Sequence, residues 1–451
     1  MLAKRDVLMY RSQNMKKFVF SLVFAICLTA AKAELKVDIF AGNAEPVPIA
    51  IAKFDSIPAN EKISGEIRAV VENDLKSSGL FHIISDSAHP EGLKFDVMPK
   101  FQKWGAVKAK VLIQSKLTRT KDKKLRLQFY VWDINGKEQV EAQSLVASAE
   151  SARRLAHIMA DAIYVRLTGE GAYFDSQIVL TAQTGGYMNP KKRLAIMDSD
   201  GANFRFISDD RTYVLSPHFS PNMQTIVFLS YRGDEPNIWT LDMTSGEHRK
   251  LGRFDGMNFA ARWSPDGRRI AFSLVDGRGA SNIYEYDIET KKIRRLTNTD
   301  GINTSPSYSP DGLSLAYNSN SSGSQQLHVL DLNTLRTRRI SYGDGRYATP
   351  AFSPDGKYLA FTKIADDTFF IGVMSPNGRN EKILAGGWYM ESPSWAPNSR
   401  RLVYYETEKI NDGDERQSSI RSVDILGHFN YEIKTPDEIN GMDPTWSPIL
   451  P

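Results

Sequence analysis

The stretch FAARWSPDGRRIAFS (259–273) is one tooth of a comb. The same pattern returns as Phe219-Ser220-Pro221-Asn222, Trp263-Ser264-Pro265-Asp266-Gly267 and Tyr308-Ser309-Pro310-Asp311-Gly312. It continues as Phe352-Ser353-Pro354-Asp355-Gly356, Trp395-Ala396-Pro397-Asn398 and Trp446-Ser447-Pro448. From aromatic to aromatic the steps are 44, 45, 44, 43 and 51 residues. Self-similarity at this period, with four strand-like runs per repeat, is the mark of β-propeller blades.

Each repeat reads as four strands, A to D. The aromatic ends strand A. Ser-Pro-Asp-Gly then turns the chain: proline presets φ, aspartate bonds its own backbone and glycine accepts φ > 0. Strand B follows, as in RRIAFSL (268–274), then strand C, as in NIYEYDI (282–288), then strand D, as in KIRRLT (292–297). The sixth motif supplies only a strand A before the chain stops at Pro451. Three strands without an A lie ahead of the first motif: 176–182, 193–199 and 203–208. The C-terminal strand is therefore predicted to cross to that first sheet and close the ring, which hides strand edges.

Upstream, residues 34–170 carry no repeat and predict an α+β N-terminal domain. Strands are expected at 47–53, 81–84 and within 109–137, with turns at 121–124 and Asn135-Gly136. A helix capped by Asn60 should run to Ser77, with Ile63, Ile67, Val70, Val71 and Leu75 inward and Gly79 as a stop. A second, over 151–167, places Leu155, Ile158, Met159, Ala162 and Val165 on one face. Gly169-Glu170-Gly171 reads as the linker to a six-bladed propeller over 171–451.

Residues 1–33 read as a cleaved secretory leader. Lys16-Lys17 is basic, 18–30 is apolar but too short to span a bilayer, and Ala31-Lys32-Ala33 precedes the cut between Ala33 and Glu34. Met15 is an alternative start, and Ile26 ahead of Cys27 speaks against a lipoprotein signal. The leader's six Lys/Arg against one acid account for the chain's net +4, leaving −1 elsewhere, so composition offers no basic face for nucleic acid. Cys27 is the only cysteine and leaves with the leader, which excludes disulfide and thiol chemistry. With no later transmembrane segment, the expected compartment is the periplasm and the expected state a soluble monomer.

An enzyme is the rival class. No G-x-S-x-G elbow occurs and no stretch is left over for a hydrolase domain. None of the seven histidines falls in a ligand motif such as H-E-x-x-H, so His157, beside an apolar helix face, reads as structural. Asp198-Ser199-Asp200-Gly201-Ala202-Asn203 faintly suggests a calcium loop, but Asp209 stands where the bidentate Glu is needed and a C–D turn accounts for it. No catalytic residue, metal or cofactor is expected. The charged excursion 409–419 lengthens one B–C loop and reads as solvated.

A binding module has a positive argument. In an antiparallel meander A–B and C–D turns share one face, and B–C and D–A loops share the other. The D–A loops sit innermost. They carry Met257, Phe259, Tyr347, Tyr389, Met390 and Met442, residue types common at protein interfaces, although each could instead turn down into the channel. The candidate partner-binding ring is Leu215, Ser216, Asn258, Phe259, Thr304, Ser305, Tyr347, Thr349, Met390, Glu391, Met442 and Asp443. At the mature N-terminus, Leu35, Val37 and Ile39 alternate with polar Glu34, Lys36 and Asp38, as in a strand that adds to another protein's sheet edge.

The leader, the α+β domain, the Ser-Pro-Asp-Gly blades and the terminal WSP clasp, in this order, resemble the TolB family of the Tol-Pal envelope system. The resemblance covers the mature chain. It implies a non-enzymatic periplasmic adaptor that binds the lipoprotein Pal at the propeller mouth and TolA through Glu34–Ile39. Other outer-membrane proteins are further candidates, and the implied role is in outer-membrane integrity and constriction at division. Asn303-Thr304 before Pro306 matches the family's third-blade loop, where relatives often carry an acid; this chain has Ser305, and Glu391 could supply the charge from two blades away. The alternative is an exported propeller that binds a glycan or peptide, or a peptidase-related propeller without its catalytic domain.

Overall fold

In the computed structural model the described residues are 45–90, 93–185, 190–232, 236–409 and 416–451. The expected leader, its cleavage site, the segment Glu34–Ile39 and the centre of the 409–419 excursion lie outside them. Ahead of the propeller, β1 (Val47–Ile51), β2 (Asp55–Ser56), α1 (Glu61–Ser77), β3 (Phe81–Ile83) and α2 (Phe101–Ala106) are followed by β4 (Val111–Arg119), β5 (Leu125–Asp133), β6 (Glu138–Ala147) and α3 (Ala152–Thr168). The sheet runs β3-β1-β4-β5-β6: β1 is parallel to β3 and β4, and β4–β5–β6 is an antiparallel meander. The short β2 pairs with β4. Successive side chains of a strand point to opposite faces. Ala50, Leu112 and Trp132 accordingly pack with Trp104 of α2, while Ile49, Ile51, Val111 and Ile113 are buried on the other face. The sequence reading did not foresee α2 or β6.

Two expectations need correction. Asn60 stands at the N-cap of α1 but makes no side-chain cap bond; its Oδ1 accepts Arg119 Nε–H at 3.0 Å. On α3, Val165 is 40% exposed and the buried arc runs through Ala156, Met159, Ala160, Ile163 and Leu167. The arc includes His157 and Asp161, which an apolar count passes over because their burial rests on partners in other elements. The expected linker is tied down: Gly169 caps α3 at φ 73°, and Glu170 accepts Arg400 Nε–H at 2.8 Å.

The six four-stranded sheets form in the predicted order. Blades 1 to 5 start with strands A at Val214–Phe219, Asn258–Trp263, Asn303–Tyr308, Arg346–Phe352 and Tyr389–Trp395. In the A–B turns of blades 2, 3 and 4, the serine hydroxyl and a following N–H donate to the aspartate, and each glycine has φ 69°. Where Asn replaces Asp-Gly in blades 1 and 5, Met223 and Ser399 take that conformation at φ 59° and 60°.

Every strand A carries a bulge, one residue longer than its partner at this point. A left-handed residue sits in each: Ser216, Ala260, Ser305, Thr349, Ser392 and Asp443. Proline follows in five of the six, tolerated because an interrupted ladder has no use for its missing N–H.

Blade 6 joins the two ends of the propeller. Asn440–Trp446 pairs antiparallel with Gln177–Thr184, with Met442 opposite Thr181 and Trp446 opposite Ile178. Trp446 Nε1–H donates to Ser176 Oγ at 2.8 Å, Ser447 Oγ accepts Gln177 N–H at 2.9 Å, and Thr445 Oγ1 donates to the Pro217 carbonyl of blade 1 at 2.6 Å. Deleting 443–451 strips the inner edge of this sheet and exposes the buried Ile178 and Val179. We expect the cooperative thermal transition of the propeller to be lost or its midpoint to fall by more than about 10 °C, since buried aromatic loss alone costs about 3–5 kcal/mol. Calorimetry of the truncated protein checks this; an unchanged midpoint removes closure as a stabilising element.

Candidate functional site

The D–A face is the open face of the propeller. The N-terminal elements sit on the opposite one: Arg400 at the A–B turn of blade 5 meets Glu170, Arg401 meets the Ser78 carbonyl, and Arg153 meets the C–D turn of blade 6. The predicted ring divides when placed on this frame. Leu215, Ser216, Phe259, Thr304, Ser305, Thr349, Glu391, Met442 and Asp443 are half-buried near the starts of their A strands. They lie within strands rather than in loops, because each A strand begins earlier than the turn residues suggest.

Three others are interior. Met390 is 2% exposed in the core between blades 4 and 5. Tyr347 is fully buried between blades 3 and 4, its hydroxyl donating to the Glu381 carboxylate at 2.9 Å. Asn258 is spent on an inter-blade bond, its Oδ1 accepting Ile238 N–H at 2.9 Å. Asn440 does the same for Ser418 N–H, so this asparagine is a blade tie and not a contact group. Glu391 is a poor stand-in for a free acid. Burial raises its pKa, its Oε2 accepts the Tyr389 hydroxyl at 2.9 Å, and Asp443 raises the pKa further.

What the sequence reading missed is the exposed rim. Tyr213, Met257, Ile302, Tyr342 and Trp388, one in each D–A connection of blades 1 to 5, are 39–73% exposed. Of these five, Met257 alone is among the loop residues the sequence points to. Large apolar side chains on an open face mark association surfaces when they are contiguous. The missed signal was positional: four of them directly precede a strand A.

Below the rim, Ser216, Thr349 and Asp443 face the central channel, a cavity of about 280 Å³ also lined by His218 and Arg262. Asp443 accepts Ser216 N–H at 3.1 Å and Ser392 Oγ–H at 3.1 Å, linking blades 1, 5 and 6. Burial lowers Arg262 to about 10, with Asp443 opposing. Burial and then Arg262 hold His218 well below its ordinary range, so it is neutral.

The described family domains match on both parts of the chain: the TolB amino-terminal domain over residues 35–140 and the TolB beta propeller domain over 164–450. The chain belongs to the TolB family. It is similar to the Tol-Pal system protein TolB of Rickettsia bellii, strains OSU 85-389 and RML369-C. Each is 43% identical over 447 residues, 97% of this chain and 100% of the relative. In fold it is similar to the crystal structure of TolB from Acinetobacter baumannii, with a TM-score of 0.80 at 24% identity over 90% of this chain and 97% of that one. Among the described residues no helix is long and apolar enough to cross a membrane.

In this TolB-family chain the face opposite the mouth holds a buried ionic junction. Asp161 of α3 accepts three backbone N–H bonds, from Tyr173, Phe174 and Asp175, at 2.7–2.9 Å. One turn away, His157 Nδ1 lies 2.7 Å from Asp74 Oδ2 of α1. Arg153 bonds Asp200 at 2.5 Å and reaches Asp198 at 3.4 Å. The sequence reading of His157 as structural caught its burial but not these carboxylates. Burial pulls the His157 pKa down, but Asp74, Asp200 and Asp198 outweigh it and bring it up to about 9. Burial raises Asp74 to about 6 against the pull of His157.

Both pKa values stand above their unfolded ones, so the folded chain holds more protons and stability falls as pH rises. The His157 contribution is complete below its unfolded pKa of 6.5 and is lost as pH climbs through about 9. In chelator-containing buffer we expect the thermal midpoint to drop between pH 7 and 9.5, and His157→Gln to flatten that drop. Matching slopes for the two proteins would show that His157 does not couple to folding.

Proposed function

We propose that this chain is a non-enzymatic periplasmic adaptor of the Tol-Pal system. It holds Pal at the D–A mouth and TolA through the mature N-terminal segment Glu34–Ile39. Its role on this reading is in outer-membrane integrity and constriction at division. The observation that carries the reading is the apolar rim of Tyr213, Met257, Ile302, Tyr342 and Trp388 on the face the N-terminal elements leave open. Membership of the TolB family supports envelope proteins as the partners, and Pal and TolA are the two that the resemblance implies.

The chemistry of the mouth fits a protein partner. The aromatic and thioether rim offers anchors, and half-buried Ser216, Thr304 and Ser305 inside it offer short hydrogen-bonding groups. Each left-handed bulge residue also fixes how its strand presents these groups, which limits the ordering a partner must impose.

Trp388→Ala and Phe259→Ala should each weaken Pal binding by about 2 kcal/mol, roughly thirtyfold, if they are central anchors. Leu313→Ala is the control: Leu313 is 52% exposed on the A–B face, so it tests exposure without position. Calorimetry with purified Pal separates the faces. Loss at Leu313 with no loss at Trp388 or Phe259 would place Pal on the wrong side for this reading.

Deleting 34–40 should abolish TolA capture in a pull-down while leaving the Pal affinity within about twofold, because a strand that pairs with another sheet edge carries its own hydrogen bonds. Simultaneous loss of both partners would reject separate sites.

A further inference from the structure

Asp74, His157 and the Asp198/Asp200 pair come from α1, α3 and the C–D turn of blade 6, and they meet at one buried point. With the imidazole proton on Nδ1, held by Asp74 at 2.7 Å, the Nε2 lone pair points the other way. This is how a carboxylate orients a metal-binding histidine. His157 is 3% exposed, and its Nε2 has no hydrogen-bond partner. It lies 3.9 Å from Asp198 Oδ2, and one ligand atom each of His157, Asp198 and Asp200 falls within 4.8 Å of the other two. We propose that these three side chains form a site for a zinc-class divalent cation, with Asp74 positioning the imidazole and water completing the tetrahedron.

One imidazole and two carboxylates suit zinc better than calcium or magnesium, which take more ligands and prefer oxygen throughout. Bonds of about 2.0–2.2 Å require the ligand atoms to close to roughly 3.3 Å apart. Arg153 is the side chain in the way, since it bonds both aspartates. It is also the one able to leave: its side chain is 35% exposed, against 14% and 10% for those of Asp198 and Asp200. A cavity of about 270 Å³ bordered by Asp74, Ser199 and Asp200 adjoins this cluster on one side. The turn is packed closely, since at Gly201, with φ 90°, a Cβ would meet the Lys434 carbonyl.

Binding therefore exchanges two cations for one: the Arg153 guanidinium and the His157 proton leave, and the ion enters. The charged groups that act on His157 are Asp74 on α1, Asp175 ahead of blade 6, and Asp198 and Asp200; Arg153 on α3 bonds the last two, and Asp161 on α3 acts on Asp74. A metal takes the neutral imidazole, so affinity should rise with pH and uptake should release a proton. The bound ion would tie α3 to blade 6.

Chelator-stripped protein is titrated with zinc chloride against a chromophoric chelator, alongside Arg153→Gln, Asp200→Asn and Asp74→Asn variants. We expect one zinc per chain and release of about one proton near neutral pH. Arg153→Gln should bind more tightly because the competing cation is gone. Asp74→Asn should bind about 10–100-fold more weakly, and Asp200→Asn more weakly still. Failure of both the unaltered protein and Arg153→Gln to take up zinc overturns the proposal. So does equal uptake by Asp200→Asn, which would put the ion on another histidine.

Discussion

The pairing of Asn440–Trp446 with Gln177–Thr184 is the constraint on which the rest of the propeller depends. Those strands lie about as far apart in the chain as the repeat region allows, so loop-closure entropy opposes their meeting until the intervening blades are in place. Once formed, the sheet has no open inner edge, and Trp446 and Ser447 bond across to Ser176 and Gln177. The clasp also sets the channel wall. Asp443 and Thr445 of the closing strand bond Ser216 and Pro217 of blade 1, which brings blade 6 into register with its neighbour.

Closure leaves the two faces of the ring unlike each other. On the A–B and C–D face, polar turn chemistry is met by the N-terminal elements: Arg400 with Glu170, Arg153 with Asp198 and Asp200, and Phe429 close against Gly79. Burying such charges is costly unless they are paired, and here pairing runs between segments distant in sequence. On the D–A face the same ring presents apolar side chains to solvent at one place per blade in five blades. One face is thus engaged by the chain's own N-terminal elements, and the other, where the proposed function puts the partner, is left open.

The bulges connect these levels. A left-handed conformation at a non-glycine residue is unfavourable locally, and at the β-branched Thr349 more so. Six of them at equivalent positions persist because each bulge turns its strand A where it crosses the channel, and neighbouring blades over-determine the geometry. Seven of the twelve residues of the predicted ring are placed by this detail: Ser216, Ser305, Thr349 and Asp443 are bulge residues, and Asn258, Tyr347 and Met390 turn inward beside them.

The blade count, the Ser-Pro-Asp-Gly turns and the closing strand were legible in the sequence because each rests on local chemistry repeated at a fixed period. Two helices of the N-terminal domain were legible for the same reason, through apolar spacing. Which residues of an A strand reach the open face was not, since a side chain's direction there depends on a one-residue bulge and on what the adjacent blade offers it. Asn258 illustrates this: nothing local distinguishes a contact group at the mouth from a tie to Ile238 of the preceding blade. His157 illustrates it again. The sequence places it on a helix beside apolar residues, but only folding brings Asp74 and Asp198 to its two nitrogens, because they come from segments 83 residues before it and 41 after. Periodic backbone structure is written in the order of residues, whereas charge partners and exposed rims arise where distant segments meet.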